Sequence, residues 1–244
     1  MDYIAGKNSV LEALRTGRRK IFSVLIGRNA SDLLVKEIVA LARQKKIPIH
    51  EIAAEQLVHK TGVQTHQGVA AEVSGFPYVD LSEIIAASRK NPEGSFVVLL
   101  DEVQDPQNVG ALIRTAHLTG AKGMVLMKHR AATINATVLK AASGAAEHLP
   151  IVQEVNLVNC INLLKNNDFF VVGAEGDSGE DLYHTTFAWP LALVLGGEEK
   201  GLRRLVRESC DALLAIPMEG KVGSYNVSVA GAMMMGEILR QKRA

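Results

Sequence analysis

The residues best suited to chemistry fall in three stretches, each at the end of an apolar run. In "DEVQDPQNVGALIRTA" (Asp101–Ala116) a strand-like segment ends in acidic and amide residues. Pro106 restricts the turn, and a helix opens with Asn108 and Gly110. Arg114 lies four residues beyond Gly110, on the same helical face. Its neighbours Leu112, Ile113 and Ala116 are apolar, so its guanidinium is expected to be tied to a partner or an anion. In "LALVLGGEEKGLRRL" (Leu191–Leu205) an apolar strand through Leu195 meets Gly196 and Gly197, then Glu198 and Glu199. Glycines at a strand end let a ligand approach the backbone closely. In "IPMEGKVGSYNVSVA" (Ile216–Ala230) a glycine-punctuated loop leads to Ser224, Tyr225 and Asn226 and then into an apolar helix. Ser and Asn are good helix caps, which accounts for their place without any function. Three polar strand-to-loop transitions nevertheless point to one ligand site, because open α/β sheets bind ligands at the C-terminal ends of their strands.

Other chemistries leave no trace. No G-x-G-x-x-G follows a strand, and no phosphate-binding G-x-x-x-x-G-K-[ST] or nucleophile elbow G-x-S-x-G occurs. "GAEGDSGED" (Gly173–Asp181) has glycines but opens no helix, and is expected to be a turn. The seven histidines are scattered without metal-ligand spacing, so no metal site is expected. Cys160 and Cys210 are the two cysteines, expected as buried thiols in a reducing cytoplasm. No secretory leader and no apolar run of membrane-spanning length is seen.

Around the motifs, the 244 residues alternate between strand-like and helix-like segments. Residues 1–75 are expected to form a small α/β domain, with Gly17 ending its first helix and Ser31 capping its second. Residues 76–93, with Pro77 and Pro92, are expected to be a linker, and 94–244 a second α/β domain. The second domain begins with a buried-type strand at "SFVVLLDEV", so a parallel sheet with helices on both faces is expected. Its segment "NATVLKAASGAAEHL" is expected to be one helix capped by Asn135. Residues 1–75 carry 11 Lys+Arg against 7 Asp+Glu, and the remainder 16 against 19. The basic excess therefore lies in the N-terminal domain, where an RNA-facing surface is the functional reading.

Together "NVGALIRTA", "LVLGGEEKGL" and "IPMEGKVGSYNVSVA" resemble the three signature motifs of the SpoU/TrmH family of RNA ribose 2′-O-methyltransferases. "YIAGKNSVLEAL" and "HQGVAAEV" resemble that family's RNA-binding extension, so the resemblance spans essentially the whole chain. It implies a SPOUT fold: an α/β domain whose parallel sheet carries a C-terminal deep trefoil knot, preceded by a small α/β RNA-binding domain. It implies S-adenosylmethionine as cofactor, held largely by backbone groups at Gly196, Ile216 and Tyr225, with Leu195 adjacent. The family usually has leucine where this chain has Tyr225. Its functional polar set falls on Asn108, Arg114, Glu198, Ser224 and Asn226. A guanidinium stays protonated, so Arg114 suits stabilising a developing alkoxide or holding a phosphate, with Glu198 orienting it or accepting a proton. The resemblance also implies a homodimer with its site near the subunit interface. Members of similar length with this extension methylate a guanosine ribose in 23S ribosomal RNA, which makes that RNA or a precursor particle the expected partner. Transfer RNA as substrate, or a non-catalytic ribosomal RNA-binding assembly factor, are the other readings.

Overall fold

A computed structural model of the chain describes residues 2–176, 180–198, 200–221 and 223–244. Its contacts divide it into two units, one of residues 1–77 with 133–148, the other of 78–132 with 149–244.

The first unit carries a four-stranded mixed sheet ordered β1 (Asp2–Ala5), β4 (Val69–Val73), β2 (Ile21–Gly27), β3 (Ile49–Ile52). Helices α1 (Lys7–Thr16), α2 (Leu33–Gln44) and α3 (Ala54–Thr61) connect these strands. Gly17 ends α1 with a φ of 64°, a left-handed cap that glycine adopts without strain. The cap of α2 is Asp32, whose carboxylate accepts from the Val35 N–H at 3.1 Å; Ser31 stands one residue too early.

Residues 133–148 join this unit, although the sequence places them in the middle of the second α/β series. Asn135 caps α6 (Ala136–Ala142), which buries Val138, Leu139 and Ala142. Ser143 and Gly144 then take left-handed φ values, ending the expected single helix before a 3-10 turn at Ala145–Glu147. Side chains secure the segment: Ser9 Oγ donates to the Leu139 carbonyl at 3.0 Å, and Lys140 Nζ to Gln67 Oε1 at 2.7 Å. Glu147 pairs with Arg19 at 3.0 Å, with the two side chains 2% and 1% exposed, and the Arg19 guanidinium lies over the Phe76 ring. Burial pushes the Glu147 carboxyl up and pulls the Arg19 guanidinium down, so each charge depends on the other.

The second unit carries a wholly parallel seven-stranded sheet. Its spatial order is β7 (Ile151–Glu154), β6 (Met124–Met127), β5 (Phe96–Asp101), β10 (Leu191–Gly196), β8 (Phe170–Ala174), β11 (Ala212–Ala215), β9 (Glu180–Asp181). Every residue of β5 is buried, as expected of an interior parallel strand. Helices α4 (Leu81–Arg89), α7 (Leu157–Lys165) and α8 (Arg204–Ser209) pack into one core with Val97, Leu99, Val125, Val171, Ala192 and Val194. Each fully buried aliphatic side chain there contributes about 1.5–3 kcal/mol. Helix α4 falls inside the stretch expected as a linker, and its Leu81, Ile84 and Ile85 are buried. Helices α5 (Pro106–Thr119) and α9 (Val227–Lys242) pack together and α9 lies on β10. A Cβ on Gly231 would meet Leu112 at 2.4 Å and Leu195 at 2.8 Å, so glycine there sets how closely α9 approaches. No helix of the described residues is long and apolar enough to cross a membrane.

Candidate functional site

From β5 the chain continues to β6 on one side of the sheet and from β10 to β11 on the other, and β5 and β10 lie side by side with Asp101 opposite Gly196. This is the switch point where open α/β sheets form a crevice. Beyond the strand ends, Glu102 takes a φ of 58°, and the chain turns into α5. Asp105 caps that helix by accepting from the Gln107 N–H at 3.1 Å, with Pro106 in its first turn. Asn108 is therefore carried, buried, on the opening turn, where its Nδ2 donates to Glu198 Oε1 at 2.8 Å.

The loop after β10 folds back on itself, with the Gly201 N–H donating to the Gly197 carbonyl at 3.0 Å. Gly196 matters for a different reason from the one the sequence suggests. A Cβ there would lie 2.2 Å from the Gly201 carbonyl carbon, so the close approach is made by the chain's own loop. Gly197 is confined likewise, its Cβ position lying 2.7 Å from the Glu102 carbonyl oxygen.

Two cavities adjoin this loop. The first, about 320 Å³, is lined by Leu195, Gly196, Glu198, Ile216, Ser224 and Tyr225 among others, over a floor including Met218, Ala230 and Met234. Six of the nine residues singled out from the sequence thus meet in one cavity. The backbone of the described residues from Pro217 to Tyr225 makes no hydrogen bond among the described residues, leaving its N–H and C=O groups for a ligand. An apolar floor, unused backbone polar groups and a volume within the usual range of about 300–1,000 Å³ fit a nucleoside-sized cofactor. The second cavity, about 450 Å³, is polar: Glu102, Gln104, Asp105, Asn108, Lys200 and Arg203 line it. Gly197, Glu198, Lys200 and Gly201 line both.

Arg114 and Asn226 line neither cavity. Arg114 sits eight residues into α5, about 12 Å along the axis from its start. Its side chain is exposed and makes no hydrogen bond or ion pair among the described residues, against the expectation of a partner. Glu198 does not orient it, being bonded to Asn108. Asn226 caps α9: its Oδ1 accepts from Ser228 N–H at 2.9 Å and Ser228 Oγ at 2.6 Å. Ser224 makes no capping bond and faces the first cavity, so cap and cavity wall divide between the two residues. Glu199 and Val222, and Asp177, Ser178 and Gly179 of the expected turn, lie outside the described residues.

Sequence reasoning missed two charged contacts here. Asp101, fully buried, accepts from the Arg203 backbone N–H at 2.9 Å and from its Nε at 2.7 Å. Glu175, on the wall of the first cavity, pairs with Arg207 Nε at 2.9 Å. The acidic end of β5 and the adjacent arginines of "GLRRLVRES" are the signals, but no spacing rule links positions 102 residues apart. No group of three or more His, Cys, Asp or Glu placed to hold a metal occurs among the described residues.

Fold and cavities define an α/β protein with a nucleoside-sized site at the switch point and a second polar site beside it. Residues 95–236 match the SpoU rRNA Methylase family, and residues 3–79 match the RNA 2′-O ribose methyltransferase substrate-binding family. The chain belongs to the SpoU/TrmH family of RNA 2′-O-methyltransferases, and S-adenosylmethionine is its cofactor. YacO of Bacillus subtilis, assigned to the TrmH family of tRNA/rRNA methyltransferases, is 38% identical over 99% of this chain and 96% of its own length. The S-adenosylmethionine-bound rRNA methyltransferase of Sinorhizobium meliloti superposes with a TM-score of 0.80 at 25% identity, covering 98% of this chain and 87% of that one. AviRb of Streptomyces viridochromogenes, solved with the same cofactor, shares the fold with a TM-score of 0.82 at 24% identity over 99% and 90% of the two chains.

Proposed function

We propose that the protein methylates the ribose 2′-oxygen of a guanosine in 23S ribosomal RNA, free or within a precursor particle. The observation that carries this reading is the shared wall. One loop, bearing Glu198, separates a cavity suited to the cofactor from a polar cavity suited to a nucleotide. Ribosomal RNA is favoured by the family description and by the Sinorhizobium meliloti relative. Guanine is favoured by the acceptors Glu102, Gln104 and Asp105 of the second cavity, since its Watson–Crick edge presents two adjacent donors.

S-adenosylmethionine supplies an electrophilic methyl group on a sulfonium. Leu195, Gly196, Ile216 and Tyr225 hold it, chiefly through backbone groups and apolar contact. Glu198 and Asn108, fixed by their mutual bond, would set the edge between the two ligands, and Ser224 would act from the wall of the first cavity. Positioning of this kind supplies much of the rate when the leaving group is already good. Arg114, exposed and uncommitted, holds the RNA phosphate or steadies the developing alkoxide, and Asn226 shapes the loop through its cap. The protein works as a cytoplasmic homodimer with Arg114 presented near the subunit interface, the N-terminal unit engages the RNA, and the C-terminal segment is threaded as a trefoil knot.

Arg114→Ala tests the assignment: transfer to RNA should fall at least a hundredfold while S-adenosylmethionine binding stays near wild type. Near-normal turnover by that variant would remove Arg114 from the reaction.

A further inference from the structure

We propose that Asp101 is a positioning residue for methyl transfer, acting through Arg203 on the loop that separates the two cavities; the inference rests on the reading of those cavities above. Asp101 is the last residue of β5 and is completely buried. A buried carboxylate is costly unless charge and hydrogen bonds compensate it. Among the described residues the compensation comes from one residue. The Arg203 N–H bonds Oδ2 at 2.9 Å, while its Nε and Nη2 approach Oδ1 at 2.7 and 2.6 Å. Arg203 Nη1 also reaches Glu102 Oε1 at 3.3 Å.

The placement gives this contact a purpose beyond stability. The loop leaves the sheet at Gly196, the register partner of Asp101 on β10. It returns at Arg203, bonded to the same Asp101. Both ends of the loop are therefore referenced to one buried side chain. Between those ends lie Gly197, Glu198, Lys200 and Gly201, which line both cavities. Glu198, carried on this loop, meets Asn108 at 2.8 Å. Two attachments on Arg203, backbone and guanidinium, resist both translation and rotation of the chain, which a single bond would not. A planar guanidinium fork suits this better than a lysine ammonium. Asp101 itself, without exposed surface, touches neither ligand.

The test compares Asp101→Asn, Arg203→Gln, Arg203→Lys and the double variant Asp101→Asn/Arg203→Gln in the full chain. Measurements are kcat at saturating RNA and S-adenosylmethionine, the Kd of S-adenosylhomocysteine by calorimetry without RNA, and Tm. The proposal expects kcat to fall at least tenfold in Asp101→Asn and Arg203→Gln, with Kd weakened at least threefold per folded molecule. The double variant should be no worse than the worse single one, because both residues act through one contact. Arg203→Lys should recover part of the Kd loss but keep a reduced kcat. Wild-type kcat and Kd in Asp101→Asn, or losses that multiply in the double variant, overturn the proposal. Should Asp101→Asn fail to fold, Arg203→Lys decides: a wild-type kcat there also overturns it. A wild type inactive on every RNA would sink the proposed substrate while the binding comparison still tested the loop.

Discussion

Replacing Gly196 with alanine puts a methyl group where the chain already runs. The added Cβ would lie 2.2 Å from the Gly201 carbonyl carbon, 2.4 Å from the Leu202 nitrogen and 2.5 Å from the Gly201 oxygen. All three atoms are backbone, so no side chain can swing aside. The loop must retreat by about 1 Å to reach even a tight van der Waals contact. Retreat is opposed by the Arg203–Asp101 bonds at one end and the Asn108–Glu198 bond near the other. Overpacking of this kind costs about 1–3 kcal/mol, or about 2–12 °C in Tm for a chain of this size. A misplacement of about 1 Å costs about a hundredfold in rate. The assay is calorimetric S-adenosylhomocysteine binding together with single-turnover methyl transfer. Gly75→Ala serves as control, since nothing lies within 4 Å of its Cβ position and it lines neither cavity. The expected result is weak binding and at least a hundredfold slower transfer in Gly196→Ala, with Gly75→Ala near wild type. Wild-type binding and transfer by Gly196→Ala would refute the argument that the folded-back loop forms the cavity wall.

Two further outcomes follow from burial. Glu147→Ala strands the Arg19 charge in the first unit and should cost about 3–5 kcal/mol in urea unfolding, and a loss under about 1 kcal/mol would contradict the ion-pair account. Burial pushes the Cys160 and Cys210 thiols up to about 12, so at pH 8 only about one part in ten thousand of each is thiolate. Alkylation of the native protein should be very slow at pH 8, accelerate as pH rises toward 12, and become rapid in denaturant, as mass spectrometry would report. Cys160 is buried as expected while Cys210 is only half-buried, and fast native alkylation at pH 8 would show that neither is shielded enough to hold its thiol neutral.

Local signals carried most of the fold. Gly17 and Asn135 punctuate helices where glycine and asparagine caps are expected, and the apolar run at Phe96–Asp101 forms a wholly buried strand. What failed was non-local. Segment 133–148 has ordinary helical periodicity, and nothing local says that Ser9, Gln67 and Arg19 will bind it. The two-residue β9 is too short for any periodic signal. For the site, the second and third motifs brought six residues into one cavity, because they follow β10 and β11, which flank β8 in the parallel sheet, while the first motif, after β5, brought Asn108 beside Glu198. Arg114 escaped that logic because its helix carries it along the axis away from the strand ends. The Asp101–Arg203 contact was invisible because a carboxylate at a strand end looks the same in sequence whether it faces solvent or a clamp.

The most direct test of the central claim is methyl transfer from labelled S-adenosylmethionine to 23S ribosomal RNA and to bulk transfer RNA in parallel. Modified positions are mapped by resistance of the following phosphodiester to alkali, which a 2′-O-methyl group confers. The account predicts label in the ribosomal RNA alone, at a guanosine. Label confined to transfer RNA, or modification of another ribose, would contradict the proposed substrate. Absence of transfer to either RNA and to precursor particles, with cofactor still bound, would contradict the proposed reaction.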